Sequence, residues 1–347
     1  MSNRFVEQGL RSPVNLTWEV TLACNLRCLH CLSSSAEPAA GELSTAEALN
    51  LVNQLESERV FQINFGGGEP FMRPDFLEIL DACHARGIMT CISTNGTLIT
   101  ADLVKRVSRN RLVAIQVSLD GARKATCEAI RGEGTFDAAI SALKLLADSP
   151  IPSSINTVLT GQNASEIPAL HELAGKLGVS LRVSRFRPSG RGADNWQSLK
   201  PDPAQLLDFS AWLANSGDVR TGDSFFSLTS QERQGLGLNL CGACKLTCCV
   251  GPTGKVYPCA FLQSDRFESG DLRKNTFKEI WDNSGIFDSF RKLRIHSCED
   301  CQRFNQCHGG CPAVAYHLKN DIEGGDPECL ERCVTSIADQ QRSSSAA

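Results

Sequence analysis

The sequence predicts an α/β protein, a partial (β/α)6 barrel of the TIM type followed by a smaller cysteine-rich domain. Three observations carry that prediction. Between residues 14 and 225, short β-type runs alternate with helical patterns, as in a parallel sheet covered by helices. The first run leads into Cys24, Cys28 and Cys31, so a CxxxCxxC loop follows a strand end, where such barrels collect functional groups. Of the 17 cysteines, all but Cys83, Cys91 and Cys127 lie in that loop or between Cys241 and Cys333, which marks a separate C-terminal unit.

The elements read in order as follows. Val14 to Thr21 is the first strand, and the helix Ser44 to Glu58 opens with a capping box made by Ser44 and Glu47. The second strand, Phe61 to Phe65, runs into Gly66, Gly67, Gly68 and Glu69 before a helix from Pro74 to Arg86. Strands at Met89 to Ser93, Leu112 to Leu119, Ile155 to Thr160 and Leu181 to Phe186 follow. Their helices are Ala101 to Ser108, Phe136 to Ala147, Ser165 to Leu177 and Pro203 to Ala214. The domain plan is a lead over 1–13, the barrel over 14–225, the cysteine-rich domain over 226–338 and a disordered tail over 339–347.

A chain of 347 residues with 41% hydrophobic content can bury a sizeable core in two domains. A net charge of −4 without long basic runs argues against a nucleic-acid surface, and four scattered tryptophans make no base-stacking platform. The N-terminus lacks a secretory apolar core, and no stretch approaches the roughly 20 apolar residues of a membrane span. A cytoplasmic protein is expected. In that reducing compartment so many cysteines point to metal, not to disulfides. The histidines show no ligand spacing with carboxylates and read as structural.

Asn25 and Arg27 interrupt the first cysteine segment and Ser33, Ser34 and Ser35 follow it, which suits a loop better than one face of a packed helix. Three thiolates on a four-iron cluster leave one iron open to a small molecule bearing an amine and a carboxylate. The glycines after the second strand let backbone approach a ligand. With Glu69 beside them and neither GxGxxG nor GxxxxGK in the segment, that ligand is not a phosphate. Together these motifs resemble the radical S-adenosylmethionine (SAM) enzymes.

The resemblance implies a SAM-binding [4Fe-4S] cluster on Cys24, Cys28 and Cys31, with Gly67, Gly68 and Glu69 in the element that holds the methionine ammonium. It also implies that Ser93 and Asn95 of STNG contact SAM, and that Ser118 of VSLDG and Arg131 of IRG serve its ribose and carboxylate. The residue before the third cysteine is usually aromatic in that family and lies against adenine; here it is His30, whose imidazole can stack.

In the C-terminal third, Cys241 is followed after twelve residues by Gly254 and after four more by Cys259; then come Cys298, Cys301, Cys307 and Cys311 as CxxCxxxxxCxxxC, and Cys329. CxxC pairs also build zinc sites. The run resembles the SPASM domain, whose interlaced ligation implies one auxiliary [4Fe-4S] cluster on Cys241, Cys248, Cys259 and Cys311, and another on Cys298, Cys301, Cys307 and Cys329. Cys244 and Cys249 lie close enough in sequence to replace Cys248, and Cys333 is a spare thiol.

The stretches TWEVTLACNLRCLHCLSSS, INFGGGEP, ISTNG, QVSLDGA, IRGEGTFD, FRPSGRG, TGDSFF and GLNLCGA narrow the resemblance to the mycofactocin radical SAM maturase family. It implies a peptide maturase that oxidatively decarboxylates a C-terminal tyrosine on a small precursor peptide and then joins valine to it by a carbon–carbon bond. One of Arg182, Arg185, Arg187 and Arg191 is expected to pair with the substrate carboxylate. Only about a dozen residues precede the first strand, so a separate peptide-binding chaperone is expected, together with an electron donor. Two other readings stay open: a related enzyme acting on a tetrapyrrole, and a metal-stabilised module without radical chemistry.

Overall fold

A computed structural model describes residues 9–221, 241–302 and 304–329. The boundary expected at 225, the segment TGDSFF beyond Thr221, Cys333 and the expected disordered tail lie outside the described residues.

Six parallel strands form the barrel wall: β1 (Asn15–Thr21), β2 (Gln62–Gly67), β3 (Met89–Thr94), β4 (Val113–Ser118), β5 (Ser153–Leu159) and β6 (Ser180–Arg185). They neighbour one another in chain order, so each connection is a short crossover through a helix. The sheet is open between β6 and β1. Helices α1 (Thr45–Ser57), α2 (Phe76–Ala85), α3 (Ala101–Val107), α4 (Lys124–Arg131), α5 (Thr135–Ala147) and α6 (Ile167–Leu177) cover its outer face, and α7 (Arg191–Asp194), α8 (Trp196–Leu199) and α9 (Pro203–Ala214) follow β6. The capping box on α1 is present, and α9 carries a second one from Asp202 and Gln205.

Alternation along the strands separates two environments. Leu16, Trp18, Val20, Ile63, Phe65, Ile92, Ile115 and Val183 point under the helices into the core. Beneath the cysteine loop, Trp18 stacks on Phe65 at 5.6 Å and Phe65 meets Phe76 edge-on at 5.2 Å, pairs worth about 0.5–1.5 kcal/mol each beyond their area. The opposite face is polar. There Gln116 Nε2 donates to Ser93 Oγ (2.8 Å) and Ser184 Oγ to Asn156 Oδ1 (2.9 Å). Branched apolar layers fill the usual TIM barrel; this interior suits a polar ligand.

The sequence reading stopped at six strands, but the sheet has nine. β7 (Cys249–Val250) pairs parallel to β1, and β8 (Lys255–Tyr257) and β9 (Gly270–Asp271) continue it antiparallel. One core accordingly runs from the barrel into the C-terminal region, taking in Cys244, Cys248, Val256, Trp281, Phe287 and Cys311. Among the described residues no helix is long and apolar enough to cross a membrane.

Candidate active site at the barrel mouth

The loop after β1 is held by polar groups from the segments around it. Its start bridges Ala36, with Cys24 N donating to Ala36 O (2.9 Å) and Ala36 N to Leu22 O (2.9 Å). Glu42 Oε1 accepts from Leu22 N and Ala39 N at 2.8 Å and from Thr21 Oγ1 at 3.1 Å. Arg191, at the start of α7, donates Nε to Cys28 O (3.1 Å) and Nη2 to Ser35 O (3.0 Å), while Asn195 Nδ2 reaches Leu29 O (3.1 Å). Such a loop keeps its shape without a ligand.

The end of β2 interlocks with it. Gly67 has φ of +101°, and a Cβ there would lie 2.5 Å from Thr21 O; at Gly68 a Cβ would lie 2.0 Å from Ala23 O. These two glycines therefore have a structural reason of their own, close approach to protein backbone. Gly66, by contrast, has nothing within 4 Å of where its Cβ would stand.

Glu69 is fully buried, accepts from Asn95 N (2.8 Å), Thr94 Oγ1 (2.9 Å) and Phe71 N (3.3 Å), and has no cationic partner among the described residues. Burial pushes its carboxyl up to about 7 against the pull of those donors. A buried carboxyl with hydrogen bonds but no counter-charge is a receptor for a cation. Asn95 is tied to the cysteine loop through Nδ2 to Asn25 Oδ1 (2.8 Å). Ser93 faces the barrel interior, and Ser118 stands half-buried at the end of β4.

His30 and Arg131 converge on a residue that the sequence reading passed over, Asp120. His30 Nε2 lies 2.7 Å from Asp120 Oδ2, and Arg131 Nε lies 2.5 Å from the same oxygen, an ion pair without hydrogen-bond angles. Val158 N (2.7 Å) and Thr157 Oγ1 (3.2 Å) occupy Oδ1. Burial alone would raise the Asp120 carboxyl, but Arg131 and His30 hold it well below the usual carboxylate range. Arg131 Nη1 also points at Cys28 Sγ (3.8 Å), so this trio backs the cysteine loop. The signal in sequence was the aspartate of VSLDG itself.

The Cys24 and Cys28 thiols are raised, Cys28 to about 11, chiefly by burial, and charges on Cys31 and Cys24 would add to the shift at Cys28. In the C-terminal region two further groups form. Burial lifts the Cys259 thiol, and the charges of Cys241 and Cys311 add to it. Cys244 is buried and feels Cys248, Cys241 and Cys259. Cys249 feels Glu19 and Cys259 from the barrel side. Separately, Cys307 is raised by burial and by Cys329, Cys298 and Cys301. The charge of each of these thiolates would push its neighbours up, so they repel one another when ionised.

Of the four arginines, Arg185 is consumed: it pairs with Asp326 through both terminal nitrogens and donates to Glu328 (2.7 Å). Asp326 in turn accepts from Cys311 N (3.1 Å), linking β6 to the second group of cysteines. Arg191 is spent on the cysteine loop. Arg182 is half-buried toward the interior, and Arg187 lies over the Phe261 ring at 4.1 Å.

Residues 18–174 match the model of the radical SAM superfamily, and residues 241–307 match that of an iron-sulfur cluster-binding domain, SPASM. The chain is 41% identical to mycofactocin maturase from Mycobacterium tuberculosis over 94% of its own length and 85% of the relative. It belongs to the mycofactocin maturase family. The AdoMet-dependent heme synthase of Methanosarcina barkeri is 30% identical over 92% of this chain and 97% of the relative. In fold the chain matches Streptococcus suis SuiB bound to precursor peptide SuiA, with a TM-score of 0.77, 20% identity, and coverage of 93% of this chain and 77% of that one.

As a radical SAM maturase the protein uses SAM and [4Fe-4S] clusters, and it is a peptide-modifying enzyme. The donor types suit those groups, with three thiols on a pinned loop, a buried carboxyl beside it and the open side of Gly66, while among the described residues no three Cys, His, Asp or Glu side chains stand close enough together to hold a metal ion as they lie.

Proposed function

We propose that this enzyme matures a small ribosomally made peptide by oxidative decarboxylation of its C-terminal tyrosine, followed by carbon–carbon joining of the neighbouring valine. In the first reaction the tyrosine gives up carbon dioxide, one hydrogen atom and one electron. When bound, SAM and its cluster supply the hydrogen-abstracting 5′-deoxyadenosyl radical, and auxiliary clusters accept the electron. The observation that carries the reading is Glu69, a buried carboxyl with no cation of its own among the described residues, set beside three cysteines on a loop that the protein already holds in shape.

In this reading Cys24, Cys28 and Cys31 hold the first cluster and Glu69 takes the methionine ammonium. Gly67, Gly68, His30, Ser93, Asn95, Ser118 and Arg131 border the remaining SAM contacts. Cys241, Cys248, Cys259 and Cys311 hold one auxiliary cluster, with Cys244 in the same group, and Cys298, Cys301, Cys307 and Cys329 hold the other. Asp120 orients His30 and Arg131. A peptide-binding chaperone and an electron donor complete the system, which works in the cytoplasm.

The heme synthase relative favours a second reading, action on a tetrapyrrole. An anaerobic reaction of cluster-reconstituted protein with SAM, reductant, the chaperone and a peptide ending Val-Tyr separates the two. Loss of the terminal carboxylate with formation of 5′-deoxyadenosine is the expected result. An intact peptide, with SAM cleavage stimulated instead by a porphyrin, selects the tetrapyrrole.

A further inference from the structure

Arg187 is the one arginine of its cluster that is buried without a carboxylate partner among the described residues, and its charge acts on the Cys259 thiol. It is 7% exposed, its Nε is sealed from water without an acceptor, and its recorded contact is with the Phe261 ring. A buried guanidinium without a carboxylate is costly, because stacking on an aromatic face recovers only part of the lost solvation. The neighbours differ. Arg185, two residues earlier, is matched by Asp326 and Glu328, and Arg191, four residues later, is spent on Cys28 O and Ser35 O.

The unmet hydrogen bonding extends around it. Ser189 Oγ in the same loop is buried without a partner, and so is His30 Nδ1 in the cysteine loop. Native proteins leave few such atoms, and the backbones of Arg187 and His30 meet in one seam at Gly192, where a Cβ would lie 3.1 Å from Arg187 O and 3.3 Å from His30 O. The seam also has two ends. Arg187 follows β6 toward α7, which holds the first cysteine loop, while Phe261 lies two residues beyond Cys259 of the auxiliary group. A carboxylate held here stands between the radical-generating side and the electron-accepting side, where a group about to leave as carbon dioxide belongs.

We propose that Arg187 is the receptor for the α-carboxylate of the peptide's C-terminal residue, and so sets the specificity for a free C-terminus. The inference rests on the decarboxylase reading above. Bidentate pairing needs the planar fork of arginine, which lysine cannot reproduce.

The test is equilibrium binding to the cluster-reconstituted enzyme with SAM and the peptide-binding chaperone present. The probes are a peptide ending Val-Tyr as the free acid and the same peptide as its C-terminal amide. The wild-type protein is expected to bind the acid about 10- to 100-fold more tightly than the amide. Arg187→Gln should erase that preference and Arg187→Lys should restore only part of it, with the iron content and electron paramagnetic resonance spectra of all three proteins alike. If Arg187→Gln keeps the preference, or the wild-type protein shows none, the inference is overturned while the decarboxylase reading stands on its own turnover assay. If Arg187→Gln shifts the auxiliary-cluster spectra and leaves the preference alone, the guanidinium serves the cluster and the inference again fails. If the wild-type protein binds neither peptide, the decarboxylase reading fails and takes the inference with it.

Discussion

In the loop that carries Cys24, Cys28 and Cys31, Glu42, Arg191 and Asn195 grip the backbone from outside, and the thiols add only long contacts such as Cys28 Sγ with Arg131. In the C-terminal region the cysteines belong to the core itself, with Cys244, Cys248, Cys307 and Cys311 packed among apolar side chains and supported by strands of two or three residues. The first site is a protein structure that accepts a cluster. The second is a structure whose interior the clusters complete.

That contrast can be broken most directly by stripping iron anaerobically with a chelator and following amide exchange. Protection should collapse over 249–319 and persist in β1 to β6; equal loss in both would end the distinction. Next in size is Arg185→Met, which leaves Asp326 and Glu328 buried without a counter-charge and should cost about 3–5 kcal/mol in chemical unfolding. Arg187→Met, which removes an unmatched charge, should cost nothing or stabilise the ligand-free protein, and a loss like that of Arg185→Met would contradict its isolation. Third, Glu42→Ala removes the acceptor for two backbone donors and a hydroxyl of the cysteine loop. A local destabilisation of about 1.5–3 kcal/mol, confined to residues 22–43 by amide exchange, is expected.

The pH dependence of SAM binding sharpens the same contrast. With the Glu69 carboxyl pushed up to about 7, it is neutral in the ligand-free protein below that pH and must ionise to hold an ammonium. Affinity should fall about tenfold per pH unit below 7 and level off above it, and a flat profile from pH 5.5 to 8 would remove Glu69 from that role. The sign for folding is opposite. A raised native pKa stabilises fully below the unfolded carboxyl value, and the contribution is lost as pH rises through about 7. The smallest effect belongs to Arg273→Ala, which breaks an exposed pair with Glu47 between α1 and the C-terminal region. It should change stability by less than about 1 kcal/mol.

Much of this was legible because it is local. Six parallel strands announce themselves as apolar runs, Ser44 and Glu47 announce a helix start, and CxxxCxxC announces a site. Helix α4 escaped because KATCEAIR is short and largely polar, hiding a buried face of Cys127, Ile130 and Arg131. β7 to β9 escaped because pairs and triplets of residues have no period to read. His30 meets Asp120 from 90 residues away and Arg185 meets Asp326 from 141, and no spacing rule reaches that far. The reason for Gly67 and Gly68 also needed the fold, because the atoms they avoid belong to another loop.

Cys249 lies in register with Thr17 and Val250 with Trp18, on the very strand that delivers the first cysteine loop. The separation between the first cluster's loop and the auxiliary region is therefore dictated by a backbone ladder and not by a tether. A slip of one residue would turn the Cys249 thiol to the opposite face of the sheet. The ladder works as a ruler between the two cysteine-bearing regions. An insertion just ahead of β7 should uncouple SAM cleavage from oxidation of the peptide while leaving each half intact.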